Sequence, residues 1–165
     1  MIKIEKLPNM EPVIVEHDEL KLIGIPCISL KDMKNKFVLA KESLLSSTKH
    51  FPQVVNHNIH YGIWPMEESQ NNPETHAYIL CVEVSTFEQI PEWFVKITLP
   101  KQRNVVVANE EGNFDAAGEV ILSYIQDHHI KLSSDNLTYR ICEKYNYDAE
   151  GFSRYSLPIA SHSIV

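Results

Sequence analysis

The sequence predicts an α+β fold made of two strand-helix-strand-strand units, and three observations lead to it. Short apolar runs rich in β-branched and aromatic residues alternate with polar turns along most of the chain. Two longer stretches, 32–48 and 114–128, carry apolar residues at helical spacing instead. A connector over 77–100 separates two halves with the same order of elements, which predicts pseudo-repeats over about 12–85 and 93–160.

The first half begins with two β-rich runs, Pro12–Val15 and Leu20–Ile28, separated by charged residues, and this pattern predicts a hairpin or a bent strand. Gly24 and Pro26 interrupt the second run, so we expect an edge strand or a bulge there. An amphipathic helix over 32–48 follows, and its narrow apolar stripe predicts that it lies on one side of a sheet. Two further strands complete the unit, Ile59–Trp64 and Ala77–Val84.

The second half repeats this order with a clearer helix. Asn113 is the expected N-cap, and one helical face collects apolar residues from Phe114 onward. The predicted strands are Phe94–Leu99, Asn104–Ala108, Leu137–Tyr145 and Arg154–Ala160.

Length and charge exclude several functional classes. The 165 residues, 44% of them apolar, are expected to form a single domain over 1–165. The 22 acidic and 15 basic residues give a net charge of -7 without a basic stripe, which argues against direct binding of nucleic acid. No apolar run approaches the roughly 20 residues of a membrane span, and the first residues do not resemble a signal peptide, so we expect no membrane association and a cytoplasmic location.

Cysteine and histidine patterns do not predict a metal site. Cys27, Cys81 and Cys142 are widely spaced within apolar segments, which predicts buried thiols. The eight histidines, including His57 and His60, lack a convergent ligand spacing, so we expect surface or capping roles and no metal. With five glycines and no phosphate-binding loop, no cofactor is expected either.

Aromatic residues recur along the predicted strands, as they do in grooves that bind small molecules. They offer broad, stiff apolar surfaces and attract cations, although packing in the sheet core is the alternative for each. Glu83 interrupts an apolar strand, where a carboxylate must be paired, lie in a cavity or be exposed near the strand end. The aromatic candidates for a ligand site are Tyr61, Trp64, Tyr78, Trp93, Tyr139 and Tyr155.

The order of several segments resembles the GyrI-like effector-binding domain, from roughly Val13 to Ile159. This domain is the drug-sensing module of bacterial transcription activators of the AraC and MerR types, and it also occurs as a stand-alone protein. The segments are HYGIWP (60–65), AYILCVEV with FEQIP (77–91), LPKQRNVVV (99–107), the helix over 114–129 and RYSLPI (154–159).

This resemblance implies two βαββ modules with antiparallel sheets, related by a pseudo-twofold axis. An aromatic groove between them would take up small, often flat and cationic, organic molecules. No residues are left over for a helix-turn-helix, so the stand-alone form is expected.

Many members of the family carry a glutamate in the penultimate strand that faces the cation. The resemblance aligns the segment that holds this glutamate with 139–142. Arg140 would then replace the acid and favour an anionic or neutral ligand. Glu83 then becomes the preferred acidic residue of the groove. Counting by two along the strand places Glu143 on the opposite face from Arg140, where we expect it to be solvated.

The predicted function is therefore a small-molecule binding protein that acts as a sensor or a sequestering agent, without catalytic residues. Two alternatives stay open. One is a protein-interaction role with a protein partner, such as that of a DNA gyrase inhibitor-like factor. The other is a hydrolase of small organic substrates that uses Tyr61 or Tyr155 with Glu83.

Overall fold

A computed structural model describes residues 7–29, 33–66, 76–109, 113–133, 137–148 and 153–160. Within these ranges the chain forms two helices and eight strands, and the prediction of an α+β fold is confirmed. The elements are β1 (Pro12–His17), β2 (Leu20–Ser29), α1 (Met33–Thr48), β3 (Ile59–Pro65), β4 (His76–Glu83), β5 (Val95–Leu99), β6 (Gln102–Ala108), α2 (Phe114–Asp127), β7 (Tyr139–Asn146) and β8 (Ser153–Ile159).

All eight strands belong to one antiparallel sheet in the order β1-β6-β8-β7-β3-β4-β2-β5. The sheet is continuous through the pairing of β3 with β7, so the two halves of the chain meet edge to edge rather than as separate sheets. The strands β1 and β2 form neither the predicted hairpin nor one bent strand, because β1 pairs with β6 and β2 pairs with β4 and β5. The relation of the two halves by a pseudo-twofold axis stays a prediction.

Two short connections force this sheet to curl. In the order of strands across the sheet, β1 and β2 lie six strands apart, and so do β5 and β6. In a flat sheet this separation would be about 29 Å. Each pair is joined by two residues, and the three Cα–Cα steps from His17 to Leu20, or from Leu99 to Gln102, span at most about 11 Å. The strands of the two halves must therefore bend toward each other at these links.

The second strand is not an edge strand, because β2 is paired on both sides. Its neighbour β5 covers Leu20–Gly24 and stops there, so Pro26 lies beyond the end of that pairing. Proline is tolerated at this position because β5 does not extend to it. The β-bulge of the sheet occurs instead where β3 pairs with β7, between Gly62 and Ile63.

Both described helices cover the same face of the sheet, which we call the helix face. α1 packs on β2 and β4 through the buried Ala40 and Leu44, and α2 packs on β6 and β8 through Ala117 and Ile121. The predicted N-cap is confirmed, since the Asn113 side chain accepts a hydrogen bond from the Ala116 N–H at 3.1 Å. In the part of the chain that the structure describes, no helix is long and apolar enough to cross a membrane.

The opposite face, which we call the concave face, has its own apolar core. Leu22, Ile63, Cys81 and Ile97 are fully buried or nearly so, and they come from four neighbouring strands. All three cysteines are buried, which confirms that prediction.

Candidate functional site

Aromatic side chains from both helices converge over the centre of the sheet on the helix face. The Tyr145 ring of β7 lies between Phe37 of α1 and Phe114 of α2, with centroid distances of 5.1 and 5.9 Å. Phe114 also stacks on Tyr155 of β8 at 5.9 Å, and Phe37 meets the edge of Tyr78 of β4 at 6.5 Å. These rings therefore bring the two halves of the chain together above β3 and β7.

The carboxylate of Glu143 in β7 lies among the rings described above. The hydroxyl groups of Tyr78, at 2.7 Å, and of Tyr145 both donate to the same carboxylate oxygen, Oε2. We call Glu143 and the five surrounding rings, Phe37, Tyr78, Phe114, Tyr145 and Tyr155, the helix-side site. Glu143 and four of the rings are half-buried, so that solvent reaches the site, whereas Tyr78 is buried.

Burial shifts the ionisation of this cluster. Desolvation raises the pKa of Glu143, while the hydrogen bonds from Tyr145 and Tyr78 act in the opposite direction. Burial and the neighbouring carboxylate raise the pKa of Tyr78 and of Tyr145 as well. Both tyrosines therefore serve as hydrogen-bond donors to a carboxyl group that is poorly solvated.

A glycine makes this arrangement possible. Gly62 of β3 is the cross-strand partner of Glu143, and the Tyr78 ring lies directly against its backbone. A Cβ atom at Gly62 would lie 2.6 Å from Cζ of Tyr78 and would collide with its hydroxyl group. Any larger residue would push the tyrosine away from Glu143.

The bulge explains why Glu143 faces the helices. Gly62 pairs with Glu143 and Ile63 pairs with Ile141, so Cys142 is the extra residue between them. Because of this extra residue, the side chains after Cys142 lie on the faces opposite to those that a regular strand would give them. The prediction that Glu143 is solvated and opposite Arg140 is wrong, since Glu143 binds Tyr78 and Arg140 contacts Trp64, both residues of the helix-face core.

Next to the helix-side site, His60 is fully buried, and the expectation of a surface or capping role is wrong for it. Its Nδ1 lies 3.2 Å from the Tyr147 hydroxyl, and Nε2 has no hydrogen-bond partner among the described residues. Desolvation, reinforced by the charge of Lys41, lowers the pKa of His60 from 6.5 to about 4. His60 is therefore a neutral base at pH 7.

Comparison with known proteins identifies this architecture. The sequence profile of Cass2, described as integron-associated effector binding protein, matches residues 13–151. The chain belongs to this family. Among curated proteins, no sequence matches it significantly.

Solved structures with this effector-binding fold confirm the predicted GyrI-like resemblance. SAV2435 bound to tetraphenylphosphonium has a TM-score of 0.59 at 15% identity, covering 92% of this chain and 95% of SAV2435. The EcmrR C-terminal domain has a TM-score of 0.59 at 12% identity, covering 90% and 96% of the two chains. A hydrolase from Listeria innocua reaches 0.56 at 7% identity, covering 93% and 94%. At these identities the likeness shows the fold.

Four of the sequence-predicted residues of this effector-binding domain lie on the helix face. Tyr78 and Tyr155 belong to the helix-side site, as described above. Trp64 packs against the core beneath α1, and the guanidinium carbon of Arg140 lies 5.1 Å from its ring centroid. Sequence reasoning thus selected two of the six members of the site.

The other four candidates lie elsewhere. Tyr61, Tyr139 and Glu83 belong to the concave face, where Tyr61 is buried and Tyr139 packs against the apolar core. Trp93 precedes the terminal strand β5, is 63% exposed and stacks on Phe94 with a centroid distance of 3.9 Å. The structure does not bring these four side chains to the helix-side site.

Sequence reasoning missed Glu143, Phe37, Phe114 and Tyr145 among the members of the site, and Gly62 beside it. Phe37 and Phe114 belong to the apolar stripes of two separate helices, and such stripes do not show that the helices flank one site. The tyrosines at 145 and 147, two and four residues after Glu143, were the available signal, because a strand places alternate residues on one face.

Proposed function

We propose that this protein binds bulky aromatic organic cations at the helix-side site and acts as a sensor or sequestering agent for them. The observation that carries the proposal is the half-buried Glu143 carboxylate, held by Tyr78 and Tyr145 among aromatic rings of both helices. The rings would stack on an aromatic ligand, and the carboxylate would pair with its charge.

The electrostatics favour a cation with a spread charge. A compact cation loses much hydration energy when it enters an apolar site, whereas a large organic cation loses little. Ion pairing is also stronger here than in water, because the rings reduce the local dielectric constant. The fold is shared with SAV2435, whose structure holds tetraphenylphosphonium, and this supports the same ligand class here.

This proposal replaces the anionic preference expected from Arg140. The guanidinium group lies over Trp64, and the groups that shift the pKa of Glu143 are Tyr145 and Tyr78. The acid of the site is therefore Glu143, and Arg140 does not take its place.

The test is a calorimetric titration with tetraphenylphosphonium at pH 8. We expect saturable binding to the wild-type protein and at least tenfold weaker binding to Glu143→Gln, since one opposite charge near a desolvated cation is worth more than about 1.4 kcal/mol. Glu83→Gln is the matched control, because Glu83 is also a half-buried glutamate with a raised pKa but lies on the concave face. Equal affinity of wild type and Glu143→Gln would exclude Glu143 as the anchor.

A second experiment separates sequestration from sensing. Bacterial cells that overproduce the wild-type protein should tolerate more tetraphenylphosphonium than cells that overproduce Glu143→Gln, if the protein acts by sequestration. Equal tolerance, with binding intact in vitro, would favour the sensor role.

The two alternative functions stay predictions. For the hydrolase, Tyr155 and Glu83 lie on opposite faces of the sheet, so this pair cannot act together, whereas Tyr61 and Glu83 share the concave face. The protein-interaction alternative is compatible with the net charge of -7.

A further inference from the structure

The concave face contains a cavity of about 80 Å³ on the other side of the sheet from the helix-side site. Strands of both halves line it, and its apolar lining includes Val15, Leu20, Val106 and Ile141. A water molecule needs at least about 10–15 Å³ by a comparable measure, so the cavity holds a molecule of roughly five to eight non-hydrogen atoms. The size and the apolar lining suit a short hydrocarbon chain.

Lys144 of β7 places a primary amine in the lining of this cavity. The side chain is half-buried, and its Nζ lies 5.4 Å from the ring centroid of Tyr61, which also lines the cavity. Arg154 of β8, its cross-strand partner, is buried beside it. Lysine amines that are removed from water beside an apolar cavity are the ones that proteins use as nucleophiles.

The surroundings of the amine favour its neutral form. Desolvation lowers the pKa of Lys144, the charge of Arg154 acts in the same direction, and the charge of Glu83 opposes both. Desolvation is the largest of these causes, and it acts whatever else Arg154 contacts. Burial raises the pKa of Tyr61, which therefore stays protonated, and His17 also lines the cavity. The unprotonated, nucleophilic amine is thus more populated here than at an exposed lysine.

We propose that the concave face carries a covalent carbonyl site, at which Lys144 binds a small aliphatic aldehyde reversibly as an imine. The lone pair of Nζ attacks the carbonyl carbon, so that a C–N bond forms and the carbonyl oxygen takes up a proton. The carbinolamine then loses its hydroxyl group as water, and a C=N bond forms. Both amine hydrogens and the carbonyl oxygen leave in that water molecule, so the step needs no oxidant, reductant or cofactor. Hydrolysis reverses it and releases the aldehyde.

This site does not depend on cation binding at the helix-side site. It uses the other face of the sheet, and it shares none of the side chains that surround Glu143. The hydrocarbon chain of the aldehyde would lie against Val106 and Ile141, within the cavity.

The test is reductive trapping of the full chain with butanal and cyanoborohydride at pH 7, followed by peptide mapping with mass spectrometry. The exposed Lys96 of β5 is the internal reference. Accessibility alone would favour Lys96, whereas an activated amine in the cavity favours Lys144. We expect Lys144 to carry at least tenfold more butyl adduct than Lys96 at early times. An adduct level at Lys144 that is no higher than at Lys96 would overturn the proposal.

Two further comparisons assign the reactivity to the cavity. The bulky 3,3-diphenylpropanal should label Lys96 but not Lys144, because it is too large for the cavity. The near-isosteric substitution Glu83→Gln removes a charge that favours the protonated amine, so it should raise the ratio of Lys144 to Lys96 adduct with butanal by about two- to fivefold. Equal ratios for the two aldehydes, or a ratio in Glu83→Gln no higher than in the wild-type protein, would refute the site.

Discussion

The two faces of the sheet handle buried charge in different ways, and the contrast is sharpest at the consecutive residues Glu143 and Lys144. On the helix face, Glu143 accepts hydrogen bonds from two tyrosine hydroxyl groups, and His60 forms a hydrogen bond with the hydroxyl group of another tyrosine. On the concave face, Lys144 lies among other charges, those of Arg154 and Glu83. Hydroxyl groups orient a charge without neutralising it, whereas the charged neighbours compensate one another in part.

This difference follows from how each face is covered. Two amphipathic helices supply aromatic rings to the helix face, while on the concave face strands of both halves approach one another through the curl of the sheet. Because a strand alternates its side chains, adjacent residues of β7 provide opposite charges to the two faces.

The largest expected effect concerns His60, a fully buried ionisable group whose pKa is lowered by desolvation and by the charge of Lys41. Its pKa is about 4 in the folded chain against 6.5 in the unfolded chain, so the unfolded chain binds the proton first as the pH falls. The free energy of unfolding should therefore decrease by about 3 kcal/mol from this residue between pH 7 and pH 4. Urea titrations across this pH range measure it.

The control for this prediction is an exposed histidine of the same chain. His60→Gln should flatten the pH dependence by about that amount, whereas His50→Gln, at an exposed position after α1, should retain the wild-type profile. Parallel profiles for His60→Gln and wild type would contradict the prediction.

The next effect concerns the glycine that admits Tyr78 to the helix face. Gly62→Ala should lower the free energy of unfolding by about 1–3 kcal/mol through overpacking, and it should weaken tetraphenylphosphonium binding because Tyr78 leaves Glu143. Thermal or urea unfolding and the tetraphenylphosphonium titration measure these changes.

Gly118→Ala provides the matched control. A Cβ atom there would lie 3.6 Å from Cε1 of Tyr155, an ordinary contact, and the position is inside α2. This variant should gain about 0.5–1 kcal/mol from the helix propensity of alanine and keep tetraphenylphosphonium binding. Equal effects of the two substitutions would refute the role given to Gly62.

A smaller effect is the pH dependence of cation binding. Burial raises the pKa of Glu143, and only the ionised form pairs with a cation. The affinity for tetraphenylphosphonium, whose charge does not titrate, should fall about tenfold per pH unit below that pKa, or about 1.4 kcal/mol per unit. Calorimetry at several pH values measures this, and Glu143→Gln should show a flat profile.

The smallest expected effect is a shift in the pH dependence of tetraphenylphosphonium binding. The Tyr78 hydroxyl stabilises the ionised form of Glu143, so Tyr78→Phe should raise the pKa of Glu143 and move the midpoint of tetraphenylphosphonium binding to higher pH. Tyr139→Phe, on the concave face, should leave the midpoint in place. An unchanged midpoint in Tyr78→Phe would mean that its hydrogen bond does not tune the acid.

Much of the fold could be predicted because its signals are local. The helices over 33–48 and 114–127, the N-cap at Asn113 and all eight strands follow from periodicity and turn residues close in sequence. The pairing of β1 with β6 could not be predicted in this way. Its residues are some 90 positions apart, and the local pattern favoured a hairpin of β1 with β2.

The helix-side site was harder to predict because it depends on one irregularity. Side chains of β7 alternate between the two faces of the sheet before Cys142 and again after it, but the extra residue interrupts the alternation. A regular alternation from Arg140 therefore predicts the wrong face for Glu143. Tyr78 and Tyr155 were identified as aromatic candidates, but nothing in their own segments shows that their rings flank the same carboxylate.

The sequence by itself determined which segments are strands and helices, the burial of the three cysteines and the family to which the chain belongs, since each depends on neighbouring residues or on order along the chain. Tertiary structure alone decided which strands pair, the curl of the sheet, and the face on which Glu143 and Lys144 lie. The physical reason is that pairing over long sequence separations, and a bulge that one partner strand imposes on another, leave no periodic trace in either segment.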